Sequence, residues 1–104
     1  MIRLERITDA LPAGFAAMQT EARAEDHTML ETLAREWKAG TTRFARDGEA
    51  LVAAYVDGVL AGIGGVTWEP AIAGAYRMRR FYVRAPYRRA GIARRLALAL
   101  LSVT

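Results

Sequence analysis

Two apolar runs, Leu51 to Val56 and Val59 to Trp68, meet at Asp57-Gly58, and this juncture constrains the fold more than any other stretch of the chain. Asp-Gly between two such runs is the strongest short-range sign of a β-hairpin, because a tight turn needs positive φ at both central residues. Gly62, Gly64 and Gly65 interrupt the second run and point to close approach by another backbone or to a bulge. A chain of 104 residues, 53% of them hydrophobic, has material for one core, so residues 1–104 are read as a single folded domain.

The flanking segments add strands and helices to that hairpin. Ile2 to Thr8 alternates apolar and charged residues, as a strand does. Thr8 or Asp9 is placed to cap a helix carrying Leu11, Phe15, Met18 and Ala22 at helical spacing, with Pro12 in its first turn and Gly14 against it. Thr20 to His27 is polar and reads as a loop. Thr28 and Glu31 then fit a capping box for a helix over Met29 to Ala39, with Leu30, Leu33, Ala34 and Trp37 on one stripe and Gly40 as its stop. Trp37 and Trp68 are read as core, and Glu69 to Gly74 as a loop containing Pro70.

Ala75 to Val83 holds a contradiction in its pattern. Tyr76 and Met78 share one parity, Phe81 and Val83 the other, and a strand with one buried face changes parity only by inserting a residue. A β-bulge is therefore expected near Arg79-Arg80. The order strand, helix, helix, strand, strand, strand, turn, helix predicts an α+β (mixed α/β) fold with a mainly antiparallel sheet.

Between that bulged strand and the last helix lies Arg88-Arg89-Ala90-Gly91-Ile92-Ala93. A tight turn opening a helix gathers free backbone N–H groups at the positive end of the helix dipole, and arginines beside it add forked donors for phosphate oxygens. Of the 15 basic residues in this chain of net charge +4, eight fall between Arg77 and Arg95. Most are read as solvated surface charges. With no cysteine, disulfides, thiolate metal sites and cysteine nucleophiles are excluded, and no metal is expected. Charges at Arg3, Glu5, Arg6 and Asp9 give no sign of a signal peptide, and no apolar run approaches the roughly 20 residues that span a bilayer. A cytoplasmic protein without a membrane partner is the expectation.

With these elements in place the chain resembles the GNAT family of N-acetyltransferases. The resemblance rests on the element order, the Phe81-Tyr82-Val83 strand end, Pro86, and Arg88-x-x-Gly91-x-Ala93. The family's acyl-CoA signature is Gln or Arg, two residues, Gly, one residue, then Gly or Ala. It implies that backbone N–H groups across Arg89, Ala90, Gly91, Ile92, Ala93 and Arg94 cradle the pyrophosphate of acetyl-CoA, the co-substrate, while Arg88 supports the turn and reaches a phosphate. It implies further that the backbone of Phe81, Tyr82 and Val83 pairs with the pantetheine arm like an added strand, and that an N–H beside the bulge stabilises the oxyanion. The family fold continues past this helix with another strand, a helix and a hairpin. The given sequence matches only the N-terminal part of it, so a fold truncated after the pyrophosphate helix is expected.

The last helix carries Ile92, Leu96, Leu98, Leu100, Leu101 and Val103, more apolar surface than one sheet face covers. Leaving a leucine exposed forfeits roughly 1.5–3 kcal/mol, so a homodimer, or a second chain that completes the fold, is expected. For catalysis, the bulged strand offers arginines and no carboxylate, which leaves Glu69 as the candidate base and Tyr82 as the candidate acid. Tyr76 is a second phenol, His27 lies where relatives line the acceptor pocket, and Glu21, Glu25 and Asp26 would suit a cationic amine. The leading expectation is transfer of an acetyl group from acetyl-CoA to the primary amine of a small molecule or peptide. The alternatives are a non-catalytic acyl-CoA-binding or assembly module of the same fold and, last, a nucleic-acid-binding domain.

Overall fold

In the computed structural model, which describes residues 1–104, the chain runs β1 (Ile2–Arg6), α1 (Phe15–Ala24), α2 (Met29–Ala39), β2 (Ala50–Val56), β3 (Val59–Trp68), β4 (Tyr76–Val83), a 3-10 turn (Ala85–Tyr87) and α3 (Ile92–Leu101). The four strands form one sheet in the order β1-β2-β3-β4, every pair antiparallel. This is the α+β fold that the sequence pattern predicts. The hairpin turns at Asp57 (φ 49°) and Gly58 (φ 82°), the two positive dihedrals that Asp-Gly supplies at little cost.

Helices cover both faces of the sheet, which explains why β2 and β3 are apolar at almost every position. Leu51, Ala53, Leu60 and Ile63 join Phe15, Met18, Leu30, Leu33 and Trp37 in a core beneath α1 and α2. Ala50, Val52, Ala54, Ala61 and Val66 meet Ile92, Leu96 and Leu100 of α3 on the other side. The glycines of β3 let aromatic rings lie against the sheet: a Cβ at Gly64 would stand 2.9 Å from the Phe81 ring, and one at Gly65 would stand 2.5 Å from the Phe44 ring.

Three expectations about local structure are corrected. The first helix begins at Phe15 rather than near Asp9, because Gly14 adopts φ 90° and serves as its cap, leaving residues 9–14 outside it, and it runs on to Ala24, through the first part of the Thr20–His27 stretch read as a loop. The capping box at Thr28 does not form: the Thr28 side chain makes no capping bond, and Glu31 instead pairs with Arg23 of α1. Trp68 is not core. It is 46% exposed, with its indole N–H on the Asp47 carbonyl at 2.7 Å and Arg46 over its ring.

Three arginines at and after the bulge tie β4 to the helices. Arg80 reaches Glu36 of α2 at 3.0 Å. Arg84 grips Glu21 of α1 through two bonds of 3.0 and 2.6 Å, and Arg88 grips Glu25 likewise at 3.0 and 2.6 Å. Forked guanidinium–carboxylate pairing fixes orientation as well as distance. The Arg88 hydrogen bond, followed by that of Tyr82, lowers the Glu25 carboxyl from 4.5 to about 2, and the Arg84 hydrogen bond lowers Glu21.

Two outcomes are expected. Gly65→Ala should destabilise the fold by about 1–3 kcal/mol in urea unfolding, since Phe44 must move to admit the methyl group. Because folded Glu25 binds its proton more weakly than the unfolded chain does, its pairing stabilises the fold above pH 4.5, and that contribution fades as pH falls toward 2. In Glu25→Gln the decline of Tm across this window should be shallower than in the parent, as followed by circular dichroism.

Candidate functional site

The site is organised by a break in the β4 ladder. Ile63 pairs with Tyr82 and Gly65 with Arg79, so β4 spends three residues where β3 spends two. Arg80 takes up the excess with φ 62°, a left-handed backbone that an arginine adopts only under constraint. This is the bulge that the parity switch predicts. Its effect is that Met78, Phe81 and Val83 all pack toward α3, whereas Tyr82 packs toward α1 and α2. The outer edge of β4 has no neighbouring strand in this sheet.

Beyond β4 the chain enters the Arg88–Ala93 turn. Arg89 (φ 64°) and Gly91 (φ 79°) are both left-handed, and a Cβ at Gly91 would meet nothing within 4 Å. The first α3 hydrogen bond runs from the Arg95 N–H to the Gly91 carbonyl, and no side chain caps the helix, so the N–H groups of Ile92, Ala93 and Arg94 face outward. Val83, Arg88, Arg89, Gly91, Ile92, Ala93 and Arg94 line one shallow cavity of about 250 Å³. Ala90 is exposed beside it. The side chains of Phe81 and Tyr82 do not line this cavity. Any role for these two in holding a ligand here belongs to their backbone on the β4 edge.

The roles of the arginines differ. The Arg88 Nε donates to the Val83 carbonyl at 2.8 Å while its other nitrogens hold Glu25, so Arg88 braces the turn from within. Arg89 and Arg94 enter no ion pair and remain available to an anion. Donors of helix-terminal N–H type together with two free guanidiniums fit the charge and oxygen acceptors of a diphosphate.

The two candidate catalytic side chains are not brought together. Tyr82 is buried, and its hydroxyl donates to Glu25 at 2.6 Å; burial first, and then Glu25, push it up to about 12. Glu69 follows the far end of β3, where its N–H bonds the Ala75 carbonyl, so about 20 Å of strand separates it from Tyr82 at roughly 3.3 Å per residue. His27 stands edge-on to Tyr82 with ring centroids 6.2 Å apart. Glu21 and Glu25 are occupied by Arg84 and Arg88 rather than open to a cationic amine.

Glu69 instead borders a larger cavity of about 860 Å³, between the α2–β2 loop and the β3–β4 loop, that sequence reasoning missed. Arg43, Arg46, Glu49, Thr67 and Arg79 also line it. Glu49 is only 6% exposed, its carboxylate accepting the N–H groups of Arg46 at 3.3 Å and Trp68 at 2.9 Å. Only Arg79, next to the bulge, carried a signal in the sequence. Thr67 comes from the end of β3, and Arg43, Arg46 and Glu49 from the loop after α2, whose approach no local pattern encodes.

Comparison with known proteins places this geometry. The chain superposes on a crystal structure from Exiguobacterium sp. 255-15 described as a candidate acetyltransferase, with a TM-score of 0.88, 23% identity, 98% of this chain covered and 68% of that one. It also matches glucosamine-6-phosphate N-acetyltransferase from Arabidopsis thaliana (TM-score 0.63, 13% identity, 98% and 73% covered). A third match is an aminoglycoside 6′-N-acetyltransferase complexed with coenzyme A (TM-score 0.65, 16% identity, 96% and 53% covered). The chain thus spans between about half and three quarters of the length of these structures. No curated protein matches its sequence. The family model for the acetyltransferase (GNAT) family matches residues 9–103, and with the bulged edge strand and the turn that follows it, the chain belongs to that family.

Proposed function

We propose that this chain transfers an acetyl group from acetyl-CoA to the primary amine of an acceptor. The observation that carries this reading is the continuity of the free β4 edge, the bulge at Arg80 and the donor-rich turn at Arg89–Arg94. A diphosphate on the turn directs the attached arm along the edge of β4, where backbone groups of Phe81, Tyr82 and Val83 align it as a strand would. The neutral amine attacks the thioester carbonyl, the C–S bond breaks as the amide C–N bond forms, and a proton passes from nitrogen to a base while the thiolate leaves and takes up another. An N–H freed by the bulge would steady the oxyanion.

Glu69 is the candidate base because it lines a cavity of substrate size; its carboxylate accepts the Ala71 N–H at 3.2 Å and lies 3.8 Å from Arg77, so it serves only if an acceptor in that cavity reaches it. Tyr82 keeps its proton through neutral pH, as an acid must, but would have to leave Glu25 to deliver it to a thiolate. Arg80, Arg84 and Arg88 are neutralised within the fold, which weakens the nucleic-acid reading of the basic segment. No helix is long and apolar enough to cross a membrane. A cytoplasmic location is part of the same reading, as is a second copy of the chain over the exposed Leu98 and Leu101 of α3.

Calorimetric titration with acetyl-CoA should give saturable binding. Gly91→Glu, which forces a side chain into a left-handed turn and sets a carboxylate against the phosphates, should weaken binding more than tenfold with an unchanged circular dichroism spectrum. Absence of binding by the parent chain at millimolar acetyl-CoA would defeat the proposal. Thiol release with a panel of amines then separates a transferase from a non-catalytic acyl-CoA-binding module. Light scattering tests the second copy: Leu98→Asp with Leu101→Asp should convert a dimer to a monomer, and a monomeric parent chain rejects it.

A further inference from the structure

Two side chains that line the 860 Å³ cavity on the α1/α2 face, Arg79 and Thr67, each bury one polar atom that the protein itself does not satisfy. The Arg79 Nε is inaccessible to solvent and has no hydrogen-bond partner, and the Thr67 Oγ1 is in the same position. Thr67 is 5% exposed and sits on the wall of the cavity. Buried donors are ordinarily paired, and a guanidinium more so than most. Arg79 forms no ion pair, in contrast to Arg80 beside it, and neither do Arg43 and Arg46.

Charge selects among the anions that could fill such a site. Three guanidiniums (Arg43, Arg46, Arg79) face two carboxylates (Glu49, Glu69), a single excess positive charge on the lining, to which the largely exposed Arg77, 3.8 Å from Glu69, adds only a water-screened one. Glu49 is satisfied by backbone N–H groups and does not compete for Arg79. A monoanionic carboxylate balances this set, and its two oxygens match the fork of one guanidinium. A phosphate ester, with a charge near −2 at neutral pH, would face Glu49 and Glu69 with charge to spare. Position agrees with chemistry, because Arg79 immediately precedes the bulge at which the thioester is read to lie. A carboxylate held there keeps the rest of a small acceptor within reach of the reacting carbonyl, with Glu69, which accepts the Ala71 N–H at 3.2 Å and lies 3.8 Å from Arg77, on the same wall.

We propose that this cavity is the acceptor pocket and that Arg79 anchors the carboxylate of an amino-acid substrate. The assignment of the pocket to the acceptor rests on the transferase reading above; the carboxylate site itself does not. The test uses the whole chain without acetyl-CoA and follows the fluorescence of Trp68, which lines the cavity, together with calorimetry. The probes are the common L-amino acids, the amines left by their decarboxylation, and O-phosphoethanolamine.

At least one amino acid should bind in the millimolar range or tighter, with its decarboxylated amine weaker by tenfold or more. Arg79→Gln should weaken that binding about tenfold to hundredfold, as loss of a charge-assisted pair does, and Arg79→Lys should fall between the two. Thr67→Val, close in shape, gives a second reading should Arg79→Gln fail to fold, and should also weaken binding. The proposal is overturned if no amino acid binds, if amines bind as well as amino acids, or if Arg79→Lys and Thr67→Val leave affinity unchanged. Preference for O-phosphoethanolamine overturns the carboxylate in favour of a phosphate. A parallel titration with acetyl-CoA keeps the two readings apart: its failure removes the transferase assignment, whereas amino-acid binding continues to report on the cavity.

Discussion

The left-handed residue Arg80 holds the structure's functional end together. An arginine at φ 62° is strained, and it persists because both faces of β4 demand it. Without the extra residue, the strand that buries Met78 toward α3 would turn Phe81 and Val83 toward α1 and α2 and leave Tyr82 in their place. The bulge lets both hydrophobic layers keep their own side chains, and it separates the unpartnered cavity next to Arg79 from the donor-rich turn after Val83.

The ion pairs of Arg80, Arg84 and Arg88 follow from the same break. Each is part-buried or half-exposed, and each ends on a glutamate of α1 or α2 or on Glu25, which caps α1, so the helices are locked to the segment that leaves β4. Their value is more geometric than energetic, since partly exposed pairs are screened by water and salt. Arg88 shows this most clearly. It ties Glu25 to the Val83 carbonyl and so fixes the turn from behind, while Arg89 and Arg94 enter no ion pair.

Much of the fold was legible along the chain because its signals are local. Asp57-Gly58 encodes a turn in two residues, Gly40 ends α2 with a left-handed cap as expected, and the parity conflict between Met78 and Phe81 announces the bulge. The misreadings were local rules overruled by tertiary contact. Glu31 had the spacing of a capping box, but Arg23 from the neighbouring helix took its carboxylate. Trp68 had the composition of core, yet it is the last residue of β3, where its ring meets Arg46.

The sequence by itself determined the element order, the bulge and the tight turn that opens α3, since each depends on side-chain periodicity or on residues a few positions apart. Tertiary structure alone decided which charges remain free. Arg84 finds Glu21 and Arg88 finds Glu25 across 63 residues, and no pattern within either segment foretells those pairings. The same holds for the cavity beside Arg79, whose walls come from two loops and the ends of β3 and β4. Its vacant donors are a property of what packs around them, and packing is settled only when the whole chain has folded.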